Sequence, residues 1–319
     1  MKDKMKKGKI FIVAVCIVGA LTGITKTYYA IGNRIYSKKM EKIKEPENRS
    51  LCVSSSTEQK TLEKEGYSIY YFVSGNEERE AIIFLHPAFG DHRCFDGQVD
   101  YFSQKFRVIT VDMLGHGLSQ VGKSKDKIAS TSVHVAEILD LEGIEEAHIA
   151  GVSLGSLLAQ DFALKYPEKT LSLTVLGGYS INKKQKQIAK AQRSELFKWL
   201  FKMIFSMDAF RRYAASTTAI DPTAQARFYE SARSFTRKSF TVMSGLDKLV
   251  ANRPEIRRDY PLLILSGEKD LELAVTLTRQ WHEDDTESQM HIIENAGHCA
   301  NMDNPKKFNE ILMEFLLSL

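Results

Sequence analysis

The chain has few cysteines, four in 319 residues, at Cys16, Cys52, Cys94 and Cys299. Cys16 lies in an apolar run near the N-terminus, which leaves three widely spaced cysteines for the folded body. An odd number at such spacing gives no disulfide framework, so we expect buried or inert thiols. Neither a CxxC nor an HExxH motif is present. We therefore predict no metal site.

Motifs for nucleic-acid binding are also missing, because the sequence has no zinc-finger spacing, no RNP-like motif and no P-loop. The formal net charge is +4, but residues 1–49 carry +8 and the remaining residues carry −4. The positive charge thus belongs to the N-terminal segment, and we expect no nucleic-acid partner. Apolar residues make up 43% of the chain. That is enough for the core of one large α/β domain with an insertion, or of two smaller domains.

An apolar run at residues 10–25 follows the basic start of the chain. It is slightly shorter than the roughly 17–25 residues that span a bilayer, but the aromatic residues after it extend it. No small-residue cleavage pattern closes the run, so residues 1–31 are predicted to be an uncleaved membrane anchor with the folded domain outside the cytoplasm. A cleaved signal peptide and a helix packed on a soluble domain are the alternatives. Residues 32–60 are polar and are predicted to be a linker.

Strand-like and helix-like segments alternate from about residue 61 to residue 319. The predicted strands are residues 67–73, 81–86, 106–112, 147–152, 171–177, 261–267 and 290–295. This alternation is typical of a mostly parallel sheet with helices on both faces. Residues 182–258 interrupt it and contain no convincing strand. They are predicted to form a helical lid inserted between two strands.

A Gly-Val-Ser-Leu-Gly motif at residues 151–155 directly follows a predicted buried strand and precedes a predicted helix. A sharp turn between such a strand and helix exposes the serine at the carboxyl edge of the sheet. The two glycines remove side chains that would collide in that turn. We therefore predict that Ser153 is a nucleophile. The N–H of Leu154, at the helix N-terminus, is the candidate for one oxyanion donor.

A serine nucleophile needs a base, and the base needs an orienting carboxylate. Among the eight histidines, His298 fits best because it lies between the last predicted strand and the last predicted helix. Asp270 follows the strand at 261–267 on another strand-end loop, and Glu268 in the same loop is its competitor. We prefer Asp270 as the carboxylate because it is farther out along the loop.

The loop after the strand at 81–86 is expected to supply the second oxyanion donor. Pro87 has no N–H, so the backbone N–H of Ala88 is the candidate. His86 is assigned to supporting this loop rather than to catalysis. The glycine-containing segment 112–119 follows the next strand and is interpreted as a structural turn beside the site.

The motifs LHPAFG, DMLGHGLS, GVSLG, SGEKD and NAGHCANMDNP resemble those of the α/β-hydrolase superfamily in order and spacing, over about residues 61–319. The chain looks like the lid-bearing branch that includes esterases, C–C bond hydrolases and cofactor-free haloperoxidase-like enzymes. The resemblance implies a triad in the chain order Ser, Asp, His and no cofactor. The implied residues are Ser153, Asp270 and His298, with oxyanion donors at Ala88 and Leu154.

Two positions bear on how far the resemblance extends. Pro87 stands where the family usually has glycine, which tightens the oxyanion loop. Serine at position 153 argues against the family's epoxide hydrolases and dehalogenases, which use aspartate as the nucleophile.

The predicted lid is both apolar and basic. Residues 196–210 are dense in Phe, Met and Leu, which suits an acyl or aromatic pocket, a surface near a membrane, or packing on the core. Residues 182–258 hold 17 Lys and Arg against 6 Asp and Glu, a net charge of +11. This charge favours anionic substrates or lipid headgroups, unless it only solvates helix faces.

The sequence therefore predicts a serine hydrolase that cleaves a carboxylic ester with a small or medium apolar acyl group. C–C bond, thioester or perhydrolase chemistry on the same triad is a second hypothesis. A catalytically silent, membrane-tethered binding protein is a third. The oligomeric state is not predicted.

Overall fold

The structure is a computed structural model that describes residues 57–123, 125–184, 197–253 and 258–319. Of the residues before 57, it describes 27, 30, 32–34 and 38, which are helical. The predicted apolar anchor at residues 10–25 lies outside the described residues. Among those that are described, no helix has the length and apolar character needed to cross a bilayer.

A sheet of eight strands forms the centre of the fold, in the spatial order β1-β2-β4-β3-β5-β6-β7-β8. The strands are β1 (Glu58–Lys64), β2 (Tyr67–Ser74), β3 (Ala81–Leu85), β4 (Arg107–Val111), β5 (Ala147–Val152), β6 (Thr170–Leu176), β7 (Leu262–Gly267) and β8 (Gln289–Ile293). β2 pairs antiparallel with β1 and β4, and all the other pairs are parallel. The predicted α/β-hydrolase architecture, a mostly parallel sheet, is confirmed.

Helices cover the two faces of this sheet and also form part of the segment between β6 and β7. They are α1 (Asp96–Phe102), α2 (Thr131–Leu141), α3 (Leu154–Lys165), α4 (Met207–Thr218), α5 (Pro222–Ser231), α6 (Glu272–Asp284), α7 (Ala300–Asp303) and α8 (Pro305–Leu317). Residues from α2 and α3 belong to one apolar cluster, and residues from α1 and α8 belong to a second. Because the middle strands are covered on both sides, β3 is buried along its whole length, and its sequence is a continuous apolar run.

The predicted linker, residues 32–60, overlaps helical residues near its start and a strand at its end. Residues 32–34 and 38 are helical. Residues 58–60 begin β1, which pairs antiparallel with β2 at the edge of the sheet. Only Leu62 of β1 is buried, so the strand has almost no hydrophobic pattern and depends on backbone pairing.

The segment between β6 and β7 contains the predicted lid, residues 182–258. Its described parts hold helical residues 197–205, α4, α5 and two short 3-10 helices. Asp221 caps α5 by accepting hydrogen bonds from the N–H groups of Thr223 and Ala224, each at 2.9 Å. Fully buried lid aromatics, Phe210, Phe228 and Phe235, join the second apolar cluster. The lid is therefore packed onto the sheet domain through its aromatic side chains.

The described cysteines agree with the expectation from their spacing. Cys94 and Cys299 are buried free thiols. Burial raises the pKa of Cys94 to about 12, which keeps this thiol protonated and unreactive at neutral pH. Cys16 and Cys52 lie outside the described residues.

Candidate active site

Ser153 occupies a strained turn between β5 and α3. Its backbone φ is 53°, which residues other than glycine rarely adopt. A Cβ atom at Gly151 would lie 2.3 Å from the carbonyl oxygen of Gly155, and one at Gly155 would lie 2.0 Å from that of Leu85. Only glycine fits these two positions, so the turn holds the serine at the carboxyl edge of the sheet.

The structure brings Ser153, His298 and Asp270 into one hydrogen-bonded line. Ser153 Oγ lies 2.7 Å from Nε2 of His298, and Nδ1 of His298 lies 2.9 Å from Oδ2 of Asp270. The Asp270 side chain is 1% exposed and that of His298 is 24% exposed. The geometry suits a base that takes the serine proton while the carboxylate fixes its ring.

His298 has a raised pKa as a result of two opposed effects. Burial, the larger single effect, lowers the pKa of the imidazole, but the charge of Asp270 and its hydrogen bond together raise it by more. The buried carboxylate therefore stabilises the imidazolium that forms when His298 accepts a proton. This is the state that a general base reaches during acyl transfer.

The loops after β7 and β8 carry Asp270 and His298, and they pack directly against each other. A Cβ at Gly267 would lie 2.0 Å from the carbonyl oxygen of Gly297, so the two backbones are in contact. Glu268 faces away from the imidazole, since its Oε2 accepts the N–H of Asn295 at 3.0 Å and the residue is exposed. Of the two carboxylates in this loop, the structure therefore places Asp270 on His298.

The candidate oxyanion donors lie on either side of Ser153. β3 and β5 are adjacent with Leu85 opposite Gly151, so the loop after β3, which contains Ala88, runs beside the serine. Leu154 is the first residue of α3, so its N–H has no acceptor within the helix. The loop that contains Ala88 and the first residue of α3 thus lie at the edge of the sheet where the serine emerges.

His86 and the turn at 112–119 support the loop that follows β3. His86 is fully buried and accepts the N–H of Met113 on Nε2 at 3.1 Å, which leaves the proton on Nδ1, 2.8 Å from the Pro87 carbonyl oxygen. Burial lowers the pKa of His86 and keeps it neutral. Asp112 closes the turn by accepting the N–H of Leu118 at 2.7 Å. These contacts are structural, in agreement with the interpretation of both segments.

A family model for the alpha/beta hydrolase fold matches residues 80–305. The chain belongs to the alpha/beta hydrolase fold family. The resemblance of its motifs to this superfamily is therefore confirmed.

The names of several relatives of this α/β hydrolase describe hydrolytic reactions. It is 28% identical over 231 residues to 2-hydroxymuconate semialdehyde hydrolase of Pseudomonas putida, covering 67% of this chain and 78% of that protein. It is 25% identical over 257 residues to 3-oxoadipate enol-lactonase 1 of Acinetobacter baylyi, covering 80% and 96%. The crystal structure of carboxylesterase CesB from Bacillus subtilis matches with a TM-score of 0.66 at 18% identity, covering 85% and 94%, which shows the shared fold. Family and relatives together support a hydrolase.

Asp303 is a residue of the α/β hydrolase site that sequence reasoning missed. Its carboxylate accepts the N–H of Gly297 at 2.8 Å, next to His298, and the N–H groups of Ile220 and Asp221 at 3.0 and 2.9 Å. It thereby ties the lid connection between α4 and α5 to the loop that carries the imidazole. The only sequence signal was its place in the motif NAGHCANMDNP, five residues after His298.

Phe89 is a second residue that the sequence did not single out. It follows Ala88, has a φ of 71°, and is 4% exposed. Four lid aromatics surround its ring at centroid distances of 4.9–5.9 Å: Trp199, Phe210, Phe235 and Phe240. The candidate oxyanion loop of the α/β hydrolase is therefore held directly by the lid.

A cavity of about 180 Å³ lies away from these residues. Its lining includes Leu262 at the start of β7, Leu173 opposite it in β6, and Arg258, Trp281 and Asp285. The three triad residues come after the opposite, carboxyl ends of their strands. This cavity is thus at the other edge of the sheet, and no predicted site residue lines it.

Proposed function

We propose that this α/β hydrolase cleaves a carboxylic ester through an acyl-enzyme on Ser153. The observation that carries the proposal is the hydrogen-bonded line from Ser153 through His298 to Asp270, with distances of 2.7 and 2.9 Å. Three side chains from three strand-end loops meet in the geometry that activates a serine.

The first half of the proposed reaction forms the acyl-enzyme. Nε2 of His298 takes the proton of Ser153 Oγ as this oxygen attacks the ester carbonyl carbon. The negative charge that develops on the carbonyl oxygen is stabilised by the N–H groups of Ala88 and Leu154. Nε2–H then protonates the leaving alkoxide as the C–O bond breaks, and the alcohol departs.

The second half releases the acid. His298, neutral again, removes a proton from a water molecule that attacks the acyl carbonyl carbon. The same two N–H groups stabilise the second oxyanion. Its collapse breaks the bond to Ser153 Oγ, which regains the proton from Nε2. Asp270 stays ionised throughout and keeps the imidazole in one tautomer and orientation.

Apolar side chains near the triad support a small or medium apolar acyl group as the substrate class. Leu271 directly follows Asp270 and is 71% exposed. Ile220, in the lid, is 39% exposed and lies against Gly297. An alkyl or aryl acyl chain would cover both.

The relative named 2-hydroxymuconate semialdehyde hydrolase favours a second candidate, hydrolysis of a C–C bond by the same triad. Thioester and perhydrolase chemistry would use the same residues. A panel of p-nitrophenyl esters of increasing acyl length, tested beside vinylogous diketones, separates these candidates. Ester turnover that disappears in Ser153→Ala is expected. Turnover of the diketones alone would replace the ester proposal by the C–C candidate.

We also propose that residues 1–31 anchor the protein in a membrane, with the hydrolase domain outside the cytoplasm. The basic start and the apolar run at 10–25 support this. Cell fractionation with N-terminal sequencing tests it. A membrane-bound chain that starts before residue 10 is expected, whereas a mature protein that starts beyond residue 26 would replace the anchor by a cleaved signal.

A further inference from the structure

The outer face of the lid helix at residues 197–205 is apolar and exposed. Phe197 is 72% exposed, Leu200 36%, Phe201 46% and Ile204 65%. Their spacing of three and four residues places them on one side of the helix. We call these four residues the outer stripe.

The inner face of the same helix already holds it on the protein. Trp199 lies 5.0 Å, ring centroid to ring centroid, from Phe89, and Met203 is 7% exposed in the second apolar cluster. The outer stripe lies on the opposite side of the helix from these contacts, and it leaves four large apolar side chains partly in water. A contiguous exposed patch of this kind marks an interaction surface.

Charge indicates what this surface meets. Residues 182–258 carry a net +11, whereas residues 50–319 together carry −4, so the rest of that body carries −15. Lys198 and Lys202 flank the outer stripe on the same helix, and Nζ of Lys202 lies 4.7 Å from the centre of the Tyr213 ring. An apolar face bordered by lysines is the pattern of helices that lie in the interface of an anionic membrane.

We propose that the outer stripe docks the lid on an anionic lipid surface, with the helix 197–205 lying in the plane of the headgroups. A second copy of the chain fits less well, because a symmetric contact would bring one +11 segment against another. A lipid surface offers acyl chains that would cover the stripe and negative headgroups that complement the net positive charge of residues 182–258.

Docking would act on the site through a short path of packed rings. Trp199 connects the helix to Phe89, and Phe89 follows the candidate oxyanion donor Ala88. A lid held at a lipid surface would therefore present the edge of the sheet that carries Ser153 toward that surface. The docking itself does not depend on the proposed ester chemistry and is tested without it.

The test uses the full chain with Cys16 and Cys52 replaced by serine, since Cys94 and Cys299 are buried. An environment-sensitive fluorophore is attached at Ile204→Cys. The matched control carries it at Leu141→Cys, a residue 60% exposed on α2, whose side chains pack on the other face of the sheet. Both proteins are reconstituted in phosphatidylcholine vesicles with and without phosphatidylglycerol, and nitroxide-labelled lipids serve as quenchers.

The expected result is a blue-shifted emission at position 204 that nitroxide lipids quench several-fold more strongly than at position 141, in vesicles that contain phosphatidylglycerol. Equal quenching at the two positions would overturn the proposal. A blue shift that grows with protein concentration in the absence of lipid would overturn it in favour of self-association. Equal quenching with and without phosphatidylglycerol would overturn the role of the basic charge.

Discussion

Replacement of Asp303 by alanine removes the acceptor of three backbone N–H groups from two separate segments, the lid connection and the His298 loop. A hydrogen bond to a charged group contributes about 1.5–3 kcal/mol to stability. Asp303 is partly exposed, so water replaces part of each lost bond. We therefore expect Asp303→Ala to lower the free energy of unfolding by about 2–4 kcal/mol.

The same change is expected to slow catalysis, because Gly297 adjoins His298 and is held by the Asp303 carboxylate at 2.8 Å. A displacement of about 1 Å in a reacting group costs on the order of 100-fold in rate. We expect kcat/KM for a p-nitrophenyl ester to fall by about 10- to 100-fold, mostly in kcat. Asp303→Asn keeps a carbonyl acceptor and is expected to lie between wild type and the alanine variant.

The assay pairs urea unfolding with steady-state kinetics at a saturating ester concentration. Asp285→Ala is the matched control, because Asp285 binds Arg258 through two hydrogen bonds of 2.9 and 2.8 Å at the opposite edge of the sheet. This control is expected to lose stability but not kcat. If Asp303→Ala and Asp285→Ala lose stability alike and both keep the wild-type kcat, Asp303 has no positioning role and the reasoning is refuted.

Three further predictions follow from the geometry of the site. Asp270→Asn keeps the shape of the buried side chain but removes the charge that His298 needs, so kcat is expected to fall by about 10³–10⁴-fold, and a loss below tenfold would contradict its role. Because Asp270 raises the pKa of His298 above 6.5 and only the neutral imidazole acts as a base, kcat/KM is expected to drop as the pH falls through a value above 6.5. A pH–rate profile with its acidic limb below 6 would argue against this. Gly155→Ala places a Cβ 2.0 Å from the Leu85 carbonyl oxygen, so the free energy of unfolding measured by chemical denaturation is expected to fall by at least about 3 kcal/mol. Gly143→Ala is the control, because Gly143 also has a positive φ but its Cβ would meet no atom within 4 Å.

The sequence predicted the sheet and the place of the nucleophile because both depend on local patterns. β3 is a continuous apolar run, which is typical of a buried parallel strand, and Ser153 stands in a short motif between the buried strand β5 and a helix. The strand-end loops of His298 and Asp270 follow from the same rule, since the carboxyl ends of parallel strands share one edge. The preference for Asp270 over Glu268 depended only on its place farther out along one short loop, and the coordinates put Asp270 on His298.

Contacts between distant segments could not be predicted in this way. Asp303 reaches backbone N–H groups of Ile220 and Asp221, about 80 positions earlier in the chain, and no pattern in either segment indicates the other. The rings around Phe89 come from four places in the lid. β1 is not predicted as a strand, and its residues 58–60 fall in the predicted linker, because an edge strand with one buried side chain has no hydrophobic periodicity. Side-chain-to-backbone contacts and edge pairing are thus the features that sequence patterns left out.

The most direct test of the account is to identify the covalently modified residue after reaction with a fluorophosphonate. The folded wild-type protein is treated with the reagent, digested, and mapped by mass spectrometry, with Ser153→Ala and heat-unfolded protein as controls. One stoichiometric adduct is expected on the peptide that contains Ser153, and no adduct is expected in either control. An adduct on another residue, or a folded wild-type protein that takes up no label, would contradict the claim that Ser153 is an activated nucleophile.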